Sequence, residues 1–318
     1  MAGSGPALLF DSGWITDLRA QLDLLSFGPF IEQLATRFTV IRYDKPGCGL
    51  SDREAPDLSF EGQLAAALAV ADASGARRFS LFGASQGAQL VAALAARYPD
   101  RVDALVMYGT CARGSDLAPA GVRESLVGLV RAHWGLGLRA LAGAFVTDPS
   151  PEDLKEFARF QRSSASAEVA AKLLEEYYET DVSALLPSIT ARTAVLHREE
   201  DRGTRFELGR DVAALIPGAT LIPLPGSSHL YYHGDWRTVL EAVTSFLEEE
   251  ADAGPPLTGR ELEVAQLVAA GLTNQAIARR LAIAPRTAEA HVENIRRKLQ
   301  VRSRAQIATW VTERQLRL

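Results

Sequence analysis

The stretch "FSLFGASQGAQLVAALAARYP", residues 79–99, decides the fold. It opens as a short apolar run, passes through Gly83-Ala84-Ser85-Gln86-Gly87, and continues with apolar residues at helical spacing. Strand, tight turn and helix in that order lift one serine onto a strained corner at the end of a sheet. The corner brings strand and helix so close that only small residues fit beside the serine, and Gly83 and Gly87 supply them. The helix N-terminus behind Ser85 favours developing negative charge. The pattern predicts a nucleophilic serine.

Working outward, "ALLF" (7–10), "FTVIRYD" (38–44), "ALVMYG" (104–109), "TAVLH" (193–197) and "TLIPL" (220–224) join "RFSLFG" (78–83) as runs of strand length. They are rich in Val, Ile, Leu and Phe, as strands buried on both faces should be. Helical patterns at 60–74, 86–97 and 206–215 lie between several of them. That alternation predicts an α/β fold with a parallel sheet and helices on both sides. Residues 111–190 break it. Helical candidates at 121–133, 136–146, 151–162 and 166–178, punctuated by "TDPSP" and "SSAS", predict a lid over the C-terminal edge of the sheet, where such sheets bind ligands.

A serine nucleophile needs a base, and the base an orienting carboxylate. Of the five histidines, His291 lies near the C-terminus, His133 falls in the lid, and His197 ends a buried strand. His229, in the loop "LPGSSHLYY" after the last strand, is the favoured base; His233 is a near neighbour expected on the following helix. The loop after "TAVLH" offers Glu199, Glu200 and Asp201, with Asp201 favoured and Glu200 next. The order Ser85, Asp201, His229 is the order this architecture imposes.

Together with "FTVIRYDKPGCGLSD" and "DVAALIPGATLIPLPGSSH", these motifs resemble the α/β-hydrolase family with a helical cap, over residues 1 to about 250. The resemblance implies an oxyanion hole from the backbone N–H groups of Gln86 and, in "DSGW", Trp14. It also implies a ligand pocket at Ser12, Trp14, Ser85, Gln86 and His229. Many members carry His-Gly where this chain has Ser12-Gly13; since the donors are backbone groups, the hole survives that change.

The sharpest boundary is "EEEADAGPP", residues 248–256, where an acidic helix end runs into Gly254, Pro255 and Pro256. These residues stop a helix and stiffen a linker, placed at 251–256. The net charge of −5 hides an asymmetry. From Gly254 onward 11 Lys plus Arg face 5 Glu, a net of +6, so the rest of the chain carries −11. An acidic domain followed by a small basic one predicts that only the latter meets a polyanion. A hydrophobic fraction of 47% excludes a disordered chain. No apolar run approaches the roughly 20 residues that span a bilayer, and the N-terminus shows no secretory pattern. The expected compartment is the cytoplasm, with no membrane partner. Cys48 and Cys111 have no ligand or disulfide spacing and are expected to be small buried residues. No metal or cofactor is implied.

Residues 257–318 read as helix-turn-helix grammar. Thr258 and Glu261 form a capping-box pattern opening a helix to about Ala270. Thr273 or Asn274 caps a short second helix to Leu281, Thr287 opens a third to Leu299, and a fourth begins near Ser303. Leu262, Ala265, Leu267, Ile277, Leu281, Ile283, Val292, Ile295 and Leu299 are the candidate core. "LTGRELEVAQLVAAGLTNQAIARRL" and "RTAEAHVENIRRKLQV" closely resemble the DNA-binding domain of LuxR-type transcriptional regulators. By position, that resemblance implies that Arg286, Glu289, Ala290 and Glu293 face bases or the groove edge. It implies that Thr273, Asn274, Thr287, Arg297, Lys298 and Arg304 meet phosphates.

The sequence therefore leads to a DNA-binding regulator whose hydrolase-like domain senses a small, mainly hydrophobic molecule, with a triad compatible both with binding alone and with slow hydrolysis. Trp134, Phe145, Phe157 and Phe160 give the lid an apolar character suited to such a ligand. Expected partners are double-stranded DNA, a second copy in a homodimer, and RNA polymerase. The alternative is a serine esterase or lactonase with an appended DNA-binding domain.

Overall fold

The computed structural model describes residues 1–54, 57–147, 149–248, 257, 259–281, 283–299, 301 and 303–315. The chain divides into two compact units, Met1–Ser245 and Phe246–Leu318. The expected linker at 251–256 lies outside the described residues, as does Thr258.

In the first unit the described strands are β1 (Ala7–Asp11), β2 (Thr39–Arg42), β3 (Phe79–Ala84), β4 (Val102–Tyr108), β5 (Arg192–Arg198) and β6 (Thr220–Leu224). They form one parallel sheet in the order β2-β1-β3-β4-β5-β6. Each matches a run singled out in the sequence to within a residue or two. The order reverses between β1 and β3, so the loops leaving these neighbours diverge and open a crevice at their C-terminal ends. Asp11 pairs with Gly83 there, and Ala84 with Tyr108, which levels the three strand ends.

Helices α1 (Phe27–Ala35), α2 (Phe60–Ala73) and α3 (Gln86–Arg97) accompany the first strands. Between β4 and β5 comes the inserted lid: α4 (Ala120–Ala132), α5 (Trp134–Phe145), α6 (Pro151–Ser164) and α7 (Ala167–Glu179). The "TDPSP" and "SSAS" punctuation resolves into caps. Ser150 accepts the Asp153 N–H, Asp153 returns the bond to the Ser150 N–H, and Pro151 sits at the first helical position. Ser166 accepts the Val169 N–H to open α7. Then α8 (Phe206–Leu215) and α9 (Trp236–Glu248) flank β6.

One face of the sheet packs Leu9, Leu81, Leu105 and Val195 against α2, α3 and α8. The other carries an aromatic cluster. Phe10 and Phe82 stack at 4.5 Å, and Tyr231 lies edge-on to Phe30 at 5.1 Å and to Phe82 at 5.3 Å. Burying Tyr231 here anchors the segment that carries His229, two residues earlier.

The second unit contains α10 (Gly259–Ala269), α11 (Asn274–Leu281), α12 (Pro285–Lys298) and α13 (Arg304–Gln315). Its core is Val264, Ala265, Val268, Ile277, Ala278, Ala288, Val292, Ile295, Leu299, Ile307 and Val311, with Leu267, Leu281 and Ile283 partly buried against it. Leu262, expected inside, is exposed. The inward face of α10 runs through Glu261, Val264, Ala265 and Val268, one helical stripe that leaves Leu262 outside. The third helix starts at Pro285 rather than Thr287, since the fixed φ and missing N–H of proline suit the first helical position.

Candidate functional site

Ser85 has φ +54° and ψ −123°, a left-handed backbone that only Leu25 shares among the described non-glycine residues. The neighbouring elements force it. Its N–H donates to the Tyr108 carbonyl at 2.8 Å and its own carbonyl accepts the Thr110 hydroxyl at 3.1 Å, which pins the corner across β4. A Cβ on Gly83 would collide with Val91 and the backbone of α3, and one on Gly87 with Asp11. Both glycines are demanded by close approach, as their spacing implied.

The histidine loop and the loop after β5 reach the same point. His229 Nε2 stands 3.0 Å from Ser85 Oγ, and His229 Nδ1 is 2.9 Å from Asp201 Oδ2. Asp201 Oδ1 accepts the N–H groups of Gly203 at 2.8 Å and Thr204 at 3.0 Å. Asp201, not Glu200, therefore faces the imidazole. Burial alone would raise the Asp201 carboxyl, but the charge and hydrogen bond of His229 and the Thr204 N–H hold it below its ordinary value. Gly203 and Gly109 give the ring its room; a Cβ on either would press on it. Arg198, 2% exposed, donates to the carbonyls of Ser228, His233 and Asp235, satisfying the turn that carries His229.

Among the other histidines, His197 also meets the triad acid, its Nε2 lying 3.6 Å from Asp201 Oδ2. His197 is buried on the Thr204 carbonyl at 2.8 Å, and burial lowers its pKa. The His133 ring accepts the Leu136 N–H at the start of α5. His233, expected on the last helix, sits in the turn before α9 with its Nδ1 3.1 Å from Ser228 Oγ, because the buried Tyr231-Tyr232 pair delays the helix to Trp236.

Gln86 opens α3, so its N–H has no intrahelical acceptor. Its side chain runs inward to Lys45 and Gln63, so only its backbone faces the serine corner. Trp14 follows Gly13, whose N–H is held by Asp11 at 3.1 Å. Ser12 accepts from Gln21 at 2.8 Å.

Lid residues close over the site, among them Tyr177, which the sequence did not single out. The Tyr177 hydroxyl of α7 is 3.4 Å from Ser85 Oγ, and burial keeps that phenol protonated well above its ordinary range. The Phe145 ring lies over His229, and Trp134 is edge-on to Trp14 at 6.1 Å. Phe157 and Phe160 instead pack on each other as lid core. Cys48 and Cys111 are buried thiols, pushed up to about 11 and about 12 by burial, and inert at neutral pH. A surface hollow of about 630 Å³ beside Arg77 and Arg78 lies by the start of β3, away from the triad.

Residues 6–234 match the family described as "alpha/beta hydrolase fold". The chain belongs to that family. The hydrolase-fold chain is 28% identical to the pimeloyl-[acyl-carrier protein] methyl ester esterase of Chromobacterium violaceum, across 78% of this chain and 97% of that one. An enol-lactonase structure from Burkholderia xenovorans LB400 superposes with a TM-score of 0.68 at 24% identity, covering 77% and 92% of the two chains, and shares the fold. Residues 255–311 match "Bacterial regulatory proteins, luxR family". Sixty residues are 40% identical to the nitrate/nitrite response regulator protein NarL of Escherichia coli, 19% of this chain and 28% of that one. The second unit is a LuxR-type DNA-binding domain of a transcriptional regulator. Among the described residues no helix is long and apolar enough to cross a membrane.

Within that domain Arg286, Thr287, Glu289, Ala290, Glu293 and Arg297 are exposed on α12. The other expected contact residues are engaged inside the domain. Thr273 caps α11 on the Ala276 N–H, Asn274 accepts from Arg304 at 2.8 Å, Arg304 also donates to the Leu272 carbonyl, and Lys298 pairs with Glu261 at 2.6 Å.

Proposed function

We propose that this hydrolase-fold regulator binds a small, mainly hydrophobic ester or lactone beneath its lid and hydrolyses it slowly, with the LuxR-type domain turning ligand occupancy into transcriptional output. The observation that carries this reading is the hydrogen-bonded chain Asp201–His229–Ser85 in one polypeptide with a DNA-binding domain.

The chemistry follows from the geometry. His229 Nε2 takes the Ser85 proton as Oγ attacks the carbonyl carbon, while Asp201 fixes the tautomer and stabilises the imidazolium. The N–H groups of Gln86 and Trp14 receive the oxyanion. The proton then passes from His229 to the departing alkoxide oxygen, leaving an acyl-serine that water, deprotonated by His229, hydrolyses. The Tyr177 hydroxyl stands where it donates to the leaving oxygen or to a bound carbonyl. In a DNA-linked protein slow turnover resets the signal. The protein acts as a cytoplasmic homodimer on palindromic DNA, and its promoter-bound form engages RNA polymerase.

The second reading is an esterase or lactonase that DNA localises, favoured by the assembled triad and the methyl ester esterase relative. One experiment separates them. Gel shifts on promoter fragments across a salt series, paired with a reporter and p-nitrophenyl ester hydrolysis, are run on wild type and Ser85→Ala. The regulator reading expects salt-sensitive binding and a ligand response that outlasts its normal time course in Ser85→Ala. Absence of DNA binding with and without ligand would sink it. A reporter indifferent to any hydrolysable ligand would favour the second reading.

A further inference from the structure

Beneath the Ser85 corner lies a charge pair that the triad does not use. Asp11, the last residue of β1, and Lys45, in the turn after β2, are 1% and 0% exposed, with Oδ1 and Nζ 3.4 Å apart. Desolvating two full charges is costly, and such pairs often stabilise no better than apolar side chains of the same volume. Stability alone does not account for its presence.

Its contacts do. Asp11 Oδ1 accepts the N–H of Gly13 at 3.1 Å, the residue before Trp14, and Oδ2 accepts the Tyr43 hydroxyl at 2.6 Å. Burial, then the Asp11 charge and hydrogen bond, keep that phenol protonated. The carboxylate also lies against the first turn of α3, in the space that a Cβ on Gly87 would need. Lys45 Nζ donates to Gln86 Oε1 at 3.0 Å and to Gln63 Oε1 at 3.5 Å, and the Lys45 backbone N–H donates to Thr16 Oγ1 at 2.8 Å. One buried ion pair thus ties the loop after β1 to the residue that opens α3.

We infer that Asp11 and Lys45 are positioning residues that hold the Trp14 and Gln86 N–H groups in register as a preorganised oxyanion site. Lys45 has a second effect: it neutralises a carboxylate that would otherwise repel the oxyanion across the first turn of α3. The inference rests on the reading of Ser85 as a nucleophile. Loss of one oxyanion donor costs about 10²–10³ in kcat. A donor displaced rather than deleted is expected to cost about tenfold, with little change in KM, because the displaced group acts only as charge develops.

The test uses the full chain, a short p-nitrophenyl ester, thermal unfolding, and two variants. The first, Asp11→Asn with Lys45→Met, removes both charges together and so avoids leaving either one bare. The second, Gln86→Met, keeps the ion pair and cuts its tether to α3, together with the hydrogen bond from Gln86 to Gln63. The expected result is a Tm near that of wild type in both, KM within about twofold, and kcat lower by about tenfold. A double variant with wild-type kcat, or one whose kcat falls only as its Tm falls, would make the pair structural only and overturn the inference while Ser85 stands. If the double variant does not fold, Gln86→Met decides: wild-type kcat there overturns the inference. A wild type with no Ser85-dependent turnover overturns both this inference and the reading beneath it.

Discussion

The carbonyl of Phe145, the last residue of α5, accepts the backbone N–H of His229 at 2.9 Å, and its ring lies 5.3 Å from the imidazole. It also accepts the Ser228 hydroxyl at 3.1 Å. Lid and base are therefore joined through main chain and ring, so a ligand that moves the lid must disturb the histidine loop. Phe145→Ala keeps the carbonyl and deletes the ring. It is expected to loosen the lid by about 1–2 kcal/mol, below the cost of truncating a fully buried Phe. Amide exchange at His229 should then quicken about tenfold. An unchanged exchange rate would show that lid and triad move independently.

The Ser85 backbone makes a second prediction. A non-glycine residue at φ +54° stores strain of about 1–3 kcal/mol. Ser85→Gly relieves it, against a loss of about 0.5–1 kcal/mol from the freer unfolded chain. The variant should lose ester hydrolysis completely and yet melt at a temperature equal to or above that of wild type. A lower melting temperature would mean that the corner is unstrained, or that Ser85 contributes contacts that outweigh the strain.

Patterns that repeat locally were legible. The strands are continuous apolar runs, the lid caps are Ser before a helical pattern, and the Ser85 corner is a strand-turn-helix with glycines at fixed offsets. His229 and Asp201 followed from their place in the loops after the last two strands and from the chain order serine, acid, histidine. In the LuxR-type domain the expected helices and inward residues fall in place except Leu262, which the α10 stripe through Val264 and Val268 excludes from the core. Pairings between distant side chains were not legible. Tyr177 meets Ser85 across 92 positions and Lys45 meets Gln86 across 41, with no period or motif to announce either. The only trace of Asp11 was an acidic residue ending an apolar strand. Lys298 was expected on a phosphate, and only the fold shows its pairing with Glu261.

The titrations of Asp201 and His197 set a pH dependence. Asp201 is held below its ordinary 3.8, so its carboxylate adds stability above that value and loses it as pH falls through the native one. The stability difference between wild type and Asp201→Asn should be widest at neutral pH and close below about pH 4. Turnover should fall by roughly 10³–10⁴ at neutral pH, from the wrong imidazole tautomer. His197 is lowered by burial from 6.5, so the folded state holds it neutral while the unfolded chain takes up a proton. Its share of stability is complete above pH 6.5 and declines below it. His197→Gln should flatten the stability curve just below that value; an unaltered slope would assign it to another group, of which His233, shifted the same way, is the first to test.

The DNA-binding unit separates residues that the sequence grouped together. Arg297 is exposed on α12 and bonded along its own helix to Asn294 at 3.0 Å. Lys298, the next residue, reaches instead across to Glu261 of α10, a carboxylate 5% exposed. Arg297→Ala should therefore weaken binding about equally on all DNA sequences and lower the salt slope by about 1, without changing the melting of the domain. Lys298→Ala should destabilise the domain by about 2 kcal/mol, less than a fully buried pair because Lys298 keeps some contact with water. Restoring neutrality with Glu261→Gln in the Lys298→Ala background should recover most of that stability. Glu289 and Glu293, exposed on the same helix as Arg286, repel phosphate and accept only from donors on base edges. Glu289→Gln is thus expected to raise affinity for arbitrary duplexes more than for the operator, narrowing the ratio between them. Parallel gel shifts on operator and scrambled DNA measure that ratio, and a ratio that widens would mean Glu289 reads no base.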